Sequence, residues 1–284
     1  MGLRFAHAVS GRMRVFGVVR RADATGAVRA AGAVPVRADL DDGRSLRRLA
    51  GLAPRVLHSA PPPGDGRDDP RMRRALAALH AARTWVYLST TGVYGDCAGA
   101  RFDETRAPAP RNDRAVRRVA AERRLRRRAA SGAIRATVLR VPGIYAAERL
   151  PIERLQRGTP ALLDADDVYT NHIHADDLAH IAFVVLWRGR SQRTLHAVDD
   201  TDMKMGEYFD AVARAYGLTP PPRLARDALR AAVSPMLYSF MSESRRLDNR
   251  RLHRELRARL RWPTVEAFLR LHGRAQGPNG VLAP

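Results

Sequence analysis

This sequence of 284 residues holds one cysteine, one lysine and few aromatic side chains, 6% of the total. The single cysteine, Cys97, excludes an intramolecular disulfide framework and a cysteine-built zinc cage, and it suits a reducing compartment. Lys204 is the only lysine, so the formal net charge of +21 comes almost wholly from arginine. Sparse rings leave little to interleave with those cations, and a nucleic-acid grip calls for charge on one face together with stacking surfaces. The arginines are instead spread along the whole chain beside abundant alanine, which points to coding bias and away from a polyanion partner. Long apolar runs are missing as well. IAFVVLW (181–187) is far too short to cross a bilayer, and the opening MGLRFAHAVSG offers no signal-peptide core. We therefore expect a cytoplasmic protein with no membrane attachment and no nucleic-acid partner.

What is present is enough apolar material, 45%, to bury a sizeable core. Compact runs bounded by Gly, Pro or Asp read as strands: RVFGVV (14–19), AVPVRADL (33–40), RVLHSA (55–60), WVYLST (85–90), ATVLRV (136–141) and TLHAV (194–198). Helical spacing fills 45–52, 69–82, 113–130 and 175–187 between them. Strand–helix alternation of this kind predicts an α/β fold, a Rossmann-like, doubly wound parallel sheet with helices on both faces. Beyond Tyr145 the alternation weakens and helical segments dominate (204–216, 223–232, 249–261). The expected division is a nucleotide-binding domain over 1–145 and a smaller, mostly helical substrate lobe over 146–284, with some strands returning to the main sheet.

STTGVYGD (89–96), followed by DET (103–105), resembles the strand-five motif of the extended short-chain dehydrogenases/reductases, the NAD-dependent epimerase/dehydratase family. Further pieces resemble that family in the right order. ADL (38–40) is similar to its Asp-Leu turn, which assigns Asp39 and Leu40 to the adenine. HSAPPP (58–63) stands where the strand-four loop covers the cofactor, adding Ser59, Ala60 and Pro61, and Ser89 opens the strand-five motif. VPGIY (141–145) is similar to the Pro-Gly turn beside the nicotinamide, adding Pro142 and Gly143. NHIHADDLA (171–179) resembles the His-Val-Asp-Asp-Leu-Ala helix start, and SESRRLDNRRL (242–252) the closing motif of atypical members. The resemblance covers nearly the whole chain. It implies an NAD(P)-binding oxidoreductase or epimerase on a nucleotide-sugar-like or other carbonyl or hydroxyl small molecule, often a homodimer. Cofactor binding without catalysis is the other reading.

Two departures from the family pattern stand out. A dinucleotide fold needs a first strand and a G-x-G-x-x-G turn whose bare backbone approaches the diphosphate. This sequence opens at about the third of those glycines, Gly2, with LRFAHAV continuing as the following helix. Either the start is displaced or diphosphate binding is lost, and the sequence as it stands would leave the neighbours of a central strand exposed. About twenty positions on, VVRRAD puts Arg20 and Arg21 after the second strand, where guanidinium forks suit a 2′-phosphate. That favours NADP, with NAD the alternative.

The second departure lies in RNDRAVRRVAAERRLRRR (111–128). The family carries Tyr-x-x-x-Lys on this helix, with a glutamate four residues beyond the lysine. Anchored on AAE (120–122), the tyrosine position falls on Arg114 and the lysine position on Arg118. Arg118 can supply positive charge and a ribose contact. Arg114 cannot serve as a general acid or base near neutral pH, since a guanidinium keeps its proton until above about 12. The chain would thus be an atypical member, and the rest of the run reads as a solvated helix face.

Thr90, four residues before Tyr94, takes the family's Ser/Thr position and could hydrogen-bond a substrate oxygen; as a strand-end residue it could equally cap backbone. Tyr94 and Tyr145 are the nearest phenols for a displaced proton donor, and otherwise wall residues. His172 and His174 are expected to line the cleft and touch substrate, with Asp176 or Asp177 opening a helix. No further element supplies a convincing ligand to them, so no metal is expected.

Overall fold

The computed structural model describes residues 1–273. Its first half runs α1 (Gly2–Ala8), β1 (Phe16–Val19), α2 (Thr25–Ala30), β2 (Val34–Arg37), β3 (Arg55–His58), α3 (Pro70–Ala78), β4 (Thr84–Thr90), β5 (Arg101–Phe102), α4 (Asp113–Ala130), β6 (Arg135–Val141) and β7 (Gly143–Tyr145). Helices then prevail. In order come α5 (Ile152–Gln156), β8 (Ala161–Leu162), β9 (Tyr169–Thr170), β10 (His172–His174), α6 (Ala175–Arg188), β11 (Arg193–His196), β12 (Met203–Lys204), α7 (Met205–Ala215), β13 (Arg223–Leu224), α8 (Arg226–Ala232), α9 (Pro235–Met241), β14 (Arg246–Leu247), α10 (Arg250–Leu256) and α11 (Val265–His272).

The main sheet has the order β11-β6-β4-β3, all parallel. β4 and β6 are buried along nearly their whole length, because helices cover both faces. Alternate residues serve opposite cores. Trp85 and Tyr87 of β4, with Ala136 and Val138 of β6, pack on Met72 of α3 and Leu125 of α4. Val86 and Leu88, with Leu139 and Val141, pack on Phe5 of α1 and on Leu178, Ile181 and Val185 of α6. This is the doubly wound α/β sheet. Burying a side chain such as Leu125 contributes about 1.5–3 kcal/mol.

β1 and β2 form a separate parallel pair. Among the described residues, β1 pairs only with β2 and β3 only with β4, so one edge of each carries no strand partner. Val18 of β1 is 45% exposed. α1 bridges the two sheets. Its Phe5 joins the main core while Ala6 packs with Val28, Ala31 and Ala33 beside β1.

A second core gathers side chains from Tyr145 to Leu269, including Leu162, Phe209, Val212, Trp262 and Phe268. β11 pairs within the main sheet and α6 packs on it, although both follow Tyr145 in the chain. Four helices are shorter than their spacing predicts, among them 69–82, which ends at Ala78. Segment 45–52 is a 3-10 turn, Ser45–Leu49, because the Ser45 hydroxyl is drawn to the backbone of Asp39. Segment 223–232 becomes helical only at Arg226, since Arg223–Leu224 pairs with β8. Segment 249–261 stops at Leu256: Arg257 turns left-handed at φ 51°, and the buried Asp177 carboxylate takes the amides of Arg261 and Trp262 at 2.8 and 2.9 Å.

The arginine-rich α4 spans the residues its periodicity predicts, capped by the Asn112 side chain on the Ala115 amide at 2.9 Å. Its arginines divide by direction. Arg123, Arg127 and Arg128 are solvated, whereas Arg117 is buried on the Gly66 carbonyl, Arg124 pairs with Asp68 and Arg126 reaches Glu122 and Thr194.

Candidate functional site

Parallel strands bring the carboxyl ends of β3, β4 and β6 to one edge of the main sheet, and those of β1 and β2 end together beside it. Ser59, Ala60 and Pro61 leave β3 there, Thr90 ends β4, and Pro142 and Gly143 follow β6. A Cβ built on Gly2 would lie 3.6 Å from the Ser59 hydroxyl, so the amino end of α1 meets the β3 loop. Asp39 folds back on itself, its carboxylate accepting from the Asp41 amide at 2.9 Å. Arg71 ties this turn to the β3 loop through the Asp41 carboxylate and the Pro61 carbonyl. Arg20 and Arg21 are both exposed, and Arg21 is paired with Asp23 at 3.0 Å.

Thr90 caps the turn 91–94, its Oγ1 accepting from the Gly92 amide at 3.2 Å. The hydroxyl proton is left for an acceptor outside the turn. Arg118 reaches back from α4 and donates to the Leu88 carbonyl at 2.8 Å and to the Tyr87 hydroxyl at 3.1 Å. A guanidinium therefore sits beside the end of β4. Arg114, one helical turn earlier, lies over the Phe240 ring of α9, 4.4 Å from its centroid.

Beneath Thr90 runs a buried polar network. Ser89 donates to Glu122 at 2.6 Å, and Glu122 receives Arg140 at 2.7 Å. Arg140 also donates to the Tyr94 hydroxyl at 2.6 Å, which lies 2.6 Å from Nε2 of His196. Nδ1 of that ring is 2.8 Å from the Asp248 carbonyl, an acceptor, so Nδ1 carries the ring proton and Tyr94 donates to Nε2. Burial holds His196 neutral, with its pKa down to about 4, and pushes Tyr94 up to about 12. The Tyr94 hydroxyl is committed to this network and Ser89 to Glu122. Sequence reasoning missed Arg140 and His196. The available signal was a charged residue inside an apolar strand, VLRV, which requires a buried partner.

Tyr145, His172 and His174 lie on one face of the parallel pair β7–β10, turned into the lobe core. His172 stacks near Tyr208, with ring centroids 4.4 Å apart, and His174 caps α6 by accepting the Asp176 amide. His174 is the cap, and Asp176 and Asp177 stand in the first turn of the helix, Asp176 also pairing with Arg4. Burial lowers the two histidines to about 3 and about 4. Tyr145 is raised by burial and then by Asp199, while Asp199 is pushed up to about 8 by burial. Among the described residues, His172 Nδ1 has no hydrogen-bond partner, and the Tyr145 hydroxyl and Asp199 Oδ2 have only each other to act on. Buried this way, neither Tyr94 nor Tyr145 presents a phenol at the strand ends.

The residues present suit a nicotinamide dinucleotide. His58, held neutral by burial with a pKa of about 4, leaves its buried Nε2 without a partner among the described residues at the end of β3. Gly143 offers exposed bare backbone beyond β6. Gly2, Asp39, Ser59 and Arg118 would complete the lining. No helix of the described residues is long and apolar enough to cross a membrane.

No curated protein matches the sequence. The model of the NAD dependent epimerase/dehydratase family matches residues 5–200. Among solved structures, a protein of unknown function from Silicibacter pomeroyi is 30% identical, with a TM-score of 0.78 over 94% of this chain and 92% of that one. Two more distant structures share the fold. MoeE5, in complex with UDP-glucose and NAD, is 21% identical with a TM-score of 0.73, covering 96% and 94% of the two chains. The UDP-glucose 4-epimerase of Thermus thermophilus, in complex with NAD, is 20% identical with a TM-score of 0.73 over the same shares. This chain belongs to the NAD dependent epimerase/dehydratase family.

Proposed function

We propose that this chain binds NADP or NAD along its strand ends and oxidises or reduces one carbon of a nucleotide-sugar-like or other carbonyl or hydroxyl substrate. The cofactor supplies the hydride chemistry. Thr90 carries the reading: its oxygen is held by the Gly92 amide, which aims the free hydroxyl proton at a substrate oxygen. Arg118, fixed on the Leu88 carbonyl, adds positive charge beside that oxygen and can touch the ribose. With a guanidinium at position 114, the substrate proton passes to water and not to a phenol. Arg20 at the end of β1, free of a carboxylate partner among the described residues, favours NADP.

The test is fluorescence titration with NADPH and NADH, followed by turnover assays on UDP-hexoses and simple carbonyl compounds. Binding of NADPH with turnover that falls about 10- to 100-fold in Thr90→Val supports the proposal. Firm cofactor binding with no turnover across the panel would favour the second reading, a cofactor-holding protein without catalysis. That reading draws on the burial of both Tyr94 and Tyr145.

A further inference from the structure

The inward face of α4 presents Arg114 and Arg118 one turn apart, next to the turn 91–94 against which the helix packs. Of the other arginines on this helix, Arg124 has Asp68 and Arg126 has Glu122, Arg117 is held by the Gly66 carbonyl, and Arg123, Arg127 and Arg128 are solvated. Among the described residues, neither Arg114 nor Arg118 has a carboxylate within ion-pairing distance. Arg118 uses one nitrogen for Leu88 and Tyr87. Arg114 makes no side-chain hydrogen bond there and lies over the face of Phe240. The carboxylate that acts on Arg114, Glu243, is engaged by Arg245 at 2.7 Å.

Two cations held side by side repel, and an aromatic face offsets only part of that cost. Desolvation and then the neighbouring Arg118 lower the pKa of Arg114, although much of its side chain stays exposed. An anion between the two guanidiniums would relieve the repulsion and accept a bidentate fork from Arg114. Phe240, 45% exposed on the short α9, borders the site and would cover the apolar part of such a ligand.

We propose that Arg114 and Arg118 form an oxyanion site, so that the substrate of this cleft carries a carboxylate or phosphate group near the carbon that reacts. The substitution that removes the family's phenol thereby selects an anionic substrate. This rests on the cleft reading above, in that the anion belongs to the substrate, but the site can be measured without cofactor.

The test follows the melting temperature of the full chain as phosphate or acetate replaces chloride at fixed ionic strength, which holds screening constant. Wild type, Arg114→Gln and Arg127→Gln are compared, the last lying on the solvated face of the same helix. The expected result is saturable stabilisation by at least one anion, with half-saturation shifted about tenfold or more in Arg114→Gln and unchanged in Arg127→Gln. Preference for phosphate or for acetate tells which group the substrate bears. Absence of saturation, or equal responses in wild type and Arg114→Gln, overturns the proposal. NADPH titration of the same samples keeps the two readings apart: lost cofactor binding with an intact anion response sinks only the earlier one.

Discussion

Glu122 of α4 and Arg140 of β6 meet at 2.7 Å with both side chains 1% exposed, directly beneath the end of β4. Through Ser89 on one side and Tyr94 on the other, this ion pair fixes the strand end that carries Thr90. Removing one partner leaves an uncompensated buried charge. Glu122→Ala is expected to cost about 3–5 kcal/mol in urea unfolding, and Glu122→Leu combined with Arg140→Met should recover much of the loss. A single-variant cost under about 1 kcal/mol would show that the charges are solvated.

Tyr94→Phe tests the inner end of the network. It strips a donor from His196 Nε2 and an acceptor from Arg140 while keeping the ring against Phe102. The expected destabilisation is about 1–3 kcal/mol, read as a lowered melting temperature. Were Tyr94 a proton donor to substrate, the variant would lose turnover and keep its stability.

Stability should peak at about pH 7, just above the ordinary histidine pKa of about 6.5. His58, His172, His174 and His196 are buried neutral, with pKa values of about 4, about 3, about 4 and about 4. Below that pH the unfolded chain binds their protons and the folded chain does not, so stability falls as pH drops. Asp199 works in the opposite sense. Its carboxyl, raised to about 8, is protonated in the folded state and ionised in the unfolded state from about pH 4 upward, so stability falls as pH rises. Four histidines outweigh it on the acid side, and Asp199 prevails on the other. Melting curves between about pH 4 and 9 should show this maximum, and Asp199→Asn should flatten its alkaline side.

Asp177→Ala should loosen the segment after α10. Two amides, those of Arg261 and Trp262, lose their acceptor, at a cost of about 1–3 kcal/mol. Hydrogen exchange at these two positions is expected to accelerate ahead of β4 and β6. Unchanged protection would mean that the Trp262 ring alone holds the segment.

The strands at 14–19, 55–60 and 85–90 and the full span of α4 were legible because apolar runs and helical periodicity report burial, and burial is local to each face. The family was legible from motifs that keep their order along the chain. The grouping of Thr90, Gly143 and Ser59 at one edge followed from that order, since parallel strands put all their carboxyl ends on the same side. His172 and His174 were harder. A histidine beside a cleft motif looks the same in sequence whether it points outward or into a core, and here β10 turns both toward Trp262, Phe268 and Tyr208.

By itself the sequence determined the strand–helix alternation of the main sheet and the permanent cation at position 114, because backbone pattern and residue identity need no partner to be read. Only the tertiary structure decided which polar groups are spoken for. Ser89, Tyr94 and Arg140 are enclosed with one another while Arg114 and Arg118 have no carboxylate partner among the described residues, and that division depends on contacts between residues as far apart as 94 and 196. Pairing across such separations sets both the desolvation and the charge balance of each group, and no local pattern encodes it.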